Sequence, residues 1–202
     1  MQPTRFLVSS FAAAALAAAA SAHAGWQVDN AQSSFHFVTT KAGKPGTAAI
    51  EEVQSFKRIA GRVADDGSLQ FDVDLASVAT NIDLRDQRIK DLLFNVAQHP
   101  KASFAATVDA HRLAALPAGG SADLELSGRL TIAGQTAPVQ ASLRVVKLAD
   151  RSLLATTRAP IVVNLKDYGL QDGVEALRTV MQLDVLSASA PVSFSVVLRA
   201  GG

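Results

Sequence analysis

The chain has 202 residues, with 19 Lys+Arg against 18 Asp+Glu, no Cys, and hydrophobic residues at 49%. A net charge of +1 offers no basic field for phosphate, which argues against nucleic acid as a partner. The absence of Cys excludes disulfides, thiolate zinc sites, Fe–S clusters, a thiol nucleophile and a lipoprotein anchor cysteine.

The chain opens as an export signal. Met1–Arg5 carries a single cation, Arg5, and Phe6–Ala20 runs without charge into Ala22-His23-Ala24. A charged start, a short apolar run and an A-x-A site describe a secretory signal over residues 1–24, cleaved after Ala24. The run is shorter than the roughly 20 residues a membrane-spanning helix needs, so no transmembrane anchor is expected after cleavage. Arg5 is the only charged residue lost, leaving 18 cations and 18 anions over residues 25–202. The expected location is the periplasm or the medium.

From there the sequence is written in period two. Phe35 and Phe37 flank His36; Leu69, Phe71, Val73 and Leu75 alternate with Gln70, Asp72 and Asp74. Val139, Ala141, Leu143 and Val145 alternate with Gln140, Ser142 and Arg144, and Val192, Phe194, Val196 and Leu198 do the same near the end, with only Val197 out of step. On a strand this spacing puts every apolar group on one face. Turn signals at Asp65-Asp66-Gly67, Pro117–Gly120, Ala133-Gly134 and Ala149–Arg151 separate the runs. The reading is about eight strands, near 26–40, 54–64, 68–76, 102–110, 122–133, 138–148, 153–165 and 190–200. The stretch Lys41–Thr47 reads as a loop. Asp83–Ala97 spaces Ile82, Ile89, Leu93 and Val96 at helical intervals and reads as a short helix and a loop, and Gly173–Met181 looks like one or two helical turns. No linker or repeat divides the chain, so a single domain is expected.

One-faced antiparallel strands must bury that face against a second sheet or by closing into a barrel. An eight-stranded barrel is just wide enough to be filled by side chains or to hold one ligand. Small inward candidates such as Ala106 and Ala141, with aromatics at only 5%, lean toward a tube. An ordinary dry core gives the same periodicity.

Motifs for chemistry are missing. His36, His99 and His111 stand apart with no metal-ligand spacing, and no G-x-S-x-G, G-x-G-x-x-G or P-loop occurs. The Asp72/Asp74 pair sits on the face opposite Phe71 and Val73 and reads as a solvated strand face. No catalytic residue, metal or cofactor is therefore assigned, and no enzyme is expected. The densest polar cluster is Asp83–Arg88. Within it Arg85 and Asp86 are candidates either for a head-group contact at a barrel mouth or for tying the helix and its loop to the sheet.

Four segments, in order, resemble the YceI-like family of exported bacterial lipid-binding proteins. Val28-Asp29 with Ser33-Ser34-Phe35-His36-Phe37 resembles its opening strand, and Phe56-Lys57-Arg58-Ile59-Ala60-Gly61 its "F-x-x-F-x-G" strand. Ser77-Val78-Ala79-Thr80, Arg85-Asp86, Leu93-Phe94 and His99–Phe104 follow its central block, and Gly128–Gly134 with Ala137-Pro138-Val139 its "G-x-L-T-i-x-G" hairpin. The resemblance implies an all-β, lipocalin-like eight-stranded antiparallel β-barrel with one or two short helices, enclosing a long apolar tunnel. By position it implies a lining of Phe35, Phe37, Phe71, Val73, Phe104, Ile132, Leu143, Val145, Phe194 and Val196. The implied function is a periplasmic or secreted carrier of a polyisoprenoid, an isoprenoid quinone or a fatty-acyl lipid. The alternative is an envelope interaction protein with a filled barrel and no ligand. The neutral surface permits a homodimer. Departures from the family pattern are Gln32 and Arg88, where histidine is usual, Thr40-Lys41, near where its second histidine falls, and the insertion at Gly173–Met181.

Overall fold

A computed structural model describes residues 25–201; the signal segment and its cleavage site lie outside the described residues. Thirteen strands form one continuous antiparallel sheet, and several are halves of a longer wall strand interrupted by a cap or bend.

The first wall strand is β1 (Trp26–Val28) and β2 (Ser34–Ala42), parted by a 3-10 turn at Asn30–Gln32. The second is β3 (Ile50–Phe56) and β4 (Ile59–Val63), and the third β5 (Ser68–Asp74) and β6 (Val78–Ala79), parted by a second 3-10 turn. Then come β7 (Lys101–Thr107), β8 (Ser121–Ile132) and β9 (Gln135–Lys147). The seventh is β10 (Leu153–Thr157) and β11 (Ile161–Asn164), and the eighth β12 (Val185–Leu186) and β13 (Ser189–Ala200). Each wall strand pairs with the next in sequence. The ring closes where β1 lies between β13 (Trp26↔Ala200) and β4 (Trp26↔Val63). This is the closed eight-stranded antiparallel barrel that the resemblance implies and the alternation allows, in up-and-down order.

Local chemistry explains the interruptions. Asp29 and Asp74 each turn a side-chain oxygen back to accept the amide of the residue two further on, Ala31 and Ala76, at 3.0 and 2.9 Å. Such aspartate turns offer the backbone an alternative to the ladder and start a helical turn. The first turn also accounts for Val197, the residue out of step. Its carbonyl accepts from Asp29 N–H at 2.8 Å and its N–H donates to Ser33 Oγ at 3.0 Å, so the turn folds over it and buries it on the outer face.

Several boundaries differ from those the sequence predicts: β3 starts at Ile50, four residues before the expected 54. Lys41 and Ala42 belong to β2, not to a loop. The strand expected to reach residue 110 ends at Thr107, because Asp109 caps helix α2 (Ala110–Ala114) by accepting from Arg112 N–H. The short helix and loop expected over 83–97 are α1 (Asp83–Arg88) running into a π-helical segment, Ile89–Phe94, ended by Asn95 at φ 47°. Helix α3 (Gln171–Val180) forms where the Gly173–Met181 turns are expected.

The barrel's two ends are closed differently. At one, α2 inserts Ala110 and Leu113 among Trp26, Val63, Val145, Leu153 and Ala155. At the other, the π segment and α3 pack on each other and supply Ile89, Phe94 and Leu177 to the main core. Gly173 makes that lid compact: a Cβ there would lie 2.9 Å from Leu92 O and 3.0 Å from Leu93 Cα. Only glycine lets the helix approach so closely.

Candidate functional site

The inward faces do not fill the barrel. Two cavities remain, an inner chamber of about 150 Å³ and a chamber of about 160 Å³ beneath the helical lid. Phe35, Val73, Ala102, Leu130, Val163 and Val192 belong to the walls of both, so the chambers adjoin. Arg62 and Gln70 are the only polar residues bordering the inner chamber. Nine of the ten residues assigned to the lining by resemblance border a chamber. Phe71, Phe104, Leu143, Phe194 and Val196 line the inner one, Phe37 and Ile132 the lid chamber, and Phe35 and Val73 both. The tenth, Val145, points inward too but packs in the cluster around Trp26 and Leu113, beyond the inner chamber.

The wall is more aromatic than the bulk composition implies. All seven phenylalanines among the described residues border a chamber. Phe35 stands at the junction, with ring centres 6.0 Å from Phe71, 6.2 Å from Phe194 and 6.1 Å from Phe56. Phe71 and Phe194 close the triangle at 6.0 Å, and Phe37 and Phe94 continue the belt through Phe56. Rings at these separations attract through offset stacking and edge contacts, so the belt forms a waist between the chambers. Phe104 lies over Gly128, where a Cβ would overlap the ring.

Sequence reasoning missed the lid's share of the wall. Phe56, Phe94 and Leu93 stand in the segments that carry the family resemblance. Val174, Leu177 and Met181 follow a helical i, i+3, i+7 spacing that signals an apolar face. The family departures divide: neither Gln32 nor Arg88 borders a chamber, whereas Lys41 and, from the Gly173–Met181 insertion, Val174, Leu177 and Met181 border the lid chamber.

Where the lid meets the barrel, a polar cluster interrupts the apolar wall. Glu52 Oε2 accepts from Arg85 Nη1 at 2.7 Å, Lys41 Nζ at 2.9 Å and Gln54 Nε2 at 3.4 Å. Arg85 Nη2 donates to Thr80 O at 2.6 Å. Burial pushes the Glu52 carboxyl upward, but the hydrogen bond from Lys41 and the charges of Arg85 and Lys41 together hold it below the ordinary glutamate range. Arg85 and Asp86 thus separate in role. Asp86 Oδ1 accepts from Thr80 N–H at 2.9 Å and Thr80 Oγ at 2.5 Å, tying the loop, and borders neither chamber. Arg85 ties α1 to β3 and also borders the lid chamber.

His36 and His111 are exposed and His99 is half-buried; none borders a chamber. Among the described residues no group of three or more His, Asp or Glu is placed to hold a metal ion, and no helix is long and apolar enough to cross a membrane.

A closed up-and-down barrel with an apolar, partly empty interior under a helical lid is the architecture of a lipocalin-like protein. The chain belongs to the YceI-like family: the YceI-like domain matches residues 26–198. Among solved structures, it is similar to a polyisoprenoid-binding domain from Saccharophagus degradans implicated in plant cell wall breakdown. That match has 29% identity and a TM-score of 0.81, covering 87% of this chain and 98% of that one. BcnA from Burkholderia cenocepacia shares the fold at 20% identity and a TM-score of 0.62, over 84% of this chain and 98% of that one. No curated protein matches the chain.

Proposed function

We propose that this protein is an exported carrier, periplasmic or secreted, that binds one long apolar molecule along the barrel axis. The ligand class is a polyisoprenoid, an isoprenoid quinone or a fatty-acyl lipid. The observation that carries this reading is the pair of adjoining apolar chambers running from the α2 plug to the lid. Each buried CH₂ contributes about 0.8 kcal/mol, so a chain threaded through both binds without covalent attachment or metal. The Saccharophagus degradans domain, described as polyisoprenoid-binding, supports the class of ligand. The filled-barrel alternative fits less well, since the phenylalanine belt narrows the interior without occupying it. No residue set on the chamber walls has the pairing of nucleophile and base that a barrel enzyme requires.

The test is extraction of lipid from protein purified after export, with mass spectrometry and uptake of isoprenoid and acyl probes. A stoichiometric long-chain lipid, or saturable uptake, is the expected result. An empty barrel that takes up neither probe type removes the carrier reading. Amino-terminal sequencing of the exported protein should begin at Gly25, and a start at Met1 in the cell interior removes the exported part of the proposal.

A further inference from the structure

The lid chamber ends on groups that an all-apolar ligand does not use. Arg85 is only 9% exposed, borders the chamber, and has its Nε–H without a hydrogen-bond partner. Its two other nitrogens are engaged, on Glu52 and on the Thr80 carbonyl. Buried donors of a guanidinium are almost always satisfied, so one left open beside an empty chamber marks a place for an acceptor. The charge count points the same way. Lys41 and Arg85 face a single carboxylate, Glu52, whose Oε2 already accepts from both and from the buried Gln54. Among the groups that border the chamber, one positive charge and several donors are therefore in excess over the single carboxylate, the Asp86 carboxylate being engaged by Thr80 away from the wall.

We infer that the lid chamber holds the head group of the ligand, and that this head group is a carboxylate: one negative charge, acceptors only, received by Arg85 and Lys41. This inference rests on the carrier reading and specifies which end of the ligand sits where. A carboxylate supplies the missing acceptor and neutralises the excess charge. A hydroxyl head group supplies an acceptor but no charge to set against the excess, and an ammonium adds to the positive excess. The apolar tail then passes the Phe35 waist toward the α2 plug.

The experiment compares tetradecanoic acid, tetradecanol and tetradecylamine at pH 8, below their aggregation concentrations, on delipidated full-length exported protein. The acid is expected to bind about tenfold tighter than the alcohol, with the amine weakest. In R85Q the acid-to-alcohol ratio should fall from about ten to near one. K41Q, altered at a partly exposed position, should lower the ratio severalfold and serves where R85Q does not fold by circular dichroism. Equal binding of acid and alcohol by the natural protein overturns the head-group inference while leaving the carrier reading in place. So does an unchanged ratio in the folded variants. Binding of none of the three probes overturns the head-group inference, and it overturns the carrier reading too where isoprenoid probes also fail to bind.

Discussion

At the scale of single residues, Phe35 is the side chain on which the interior turns. It touches both chambers and three other rings, so its removal opens the waist. Truncating a buried phenylalanine costs about 3–5 kcal/mol, and the lower end applies here because the ring already faces empty space. F35A should therefore lose about 3 kcal/mol in denaturant unfolding while its affinity rises along a series of probes of increasing chain length. A flat chain-length profile would show that the waist does not limit the tail. Gly128 acts in the opposite sense. A methyl there overlaps the Phe104 ring and meets the Ala105 carbonyl at 2.6 Å, so the ring must move into the inner chamber. G128A should destabilise by about 1–3 kcal/mol, the usual range for overpacking, and reduce uptake of bulky-tailed probes more than slender ones.

At the scale of elements, the lid is held by one close backbone approach and one ion-pair cluster, and each makes a prediction. G173V places side-chain atoms against Leu92 O and Leu93 Cα, which forces α3 off the π segment. Amide exchange across 171–180 and the rate of lipid release should rise together, by about tenfold for each 1.4 kcal/mol by which the lid is weakened. Unchanged release would mean the ligand leaves by another route. The Glu52 cluster ties β3 to α1 in a pH-dependent way. Its carboxyl is held low in the folded protein, so its contribution is fully present above the ordinary glutamate value of about 4.3 and is lost as pH falls through the lowered one. Acid titration should therefore loosen the lid before the barrel, read as faster exchange in 83–94 while the β8–β9 hairpin remains protected. E52Q should remove that part of the acid sensitivity.

These elements also mark what the sequence made legible. Strands such as β5, β9 and β13 announce themselves because one face is buried along their whole length, and period two is a direct imprint of that burial. Their inward residues, Phe71, Leu143 and Phe194 among them, were readable for the same reason. The breaks were not, because Asp29 and Asp109 act through single side-chain-to-backbone bonds that leave no periodic trace. Nor was the collection of seven phenylalanines around two chambers, which depends on barrel closure pairing β13 with β2 and bringing Phe71 of β5 against Phe35 and Phe194 across the interior. Arg85 was visible as half of a polar pair, but its separation from Asp86 needed the positions of Glu52 and Thr80.

At the scale of the whole molecule, the barrel trades packing for capacity. Native cores are filled to the density of organic crystals, and wall atoms facing a void forfeit part of their dispersion energy. The unfilled barrel is therefore less stable than its hydrogen-bonded closure alone would make it, and a ligand restores the missing packing. Because the chambers exist only in the folded state, binding adds RT ln(1 + [L]/Kd), about 2.7 kcal/mol at a free ligand concentration of 100 Kd. For a domain of this size each kcal/mol moves Tm by about 2–4 °C, so loading should raise Tm by about 5–10 °C over the delipidated protein. The rise should be larger for F35A, whose apo form lacks the waist and whose filled form packs along the tail instead. A Tm that does not respond to saturating isoprenoid or acyl probes, in a protein that still unfolds cooperatively, would mean the two chambers are packing voids and the barrel is complete as it stands.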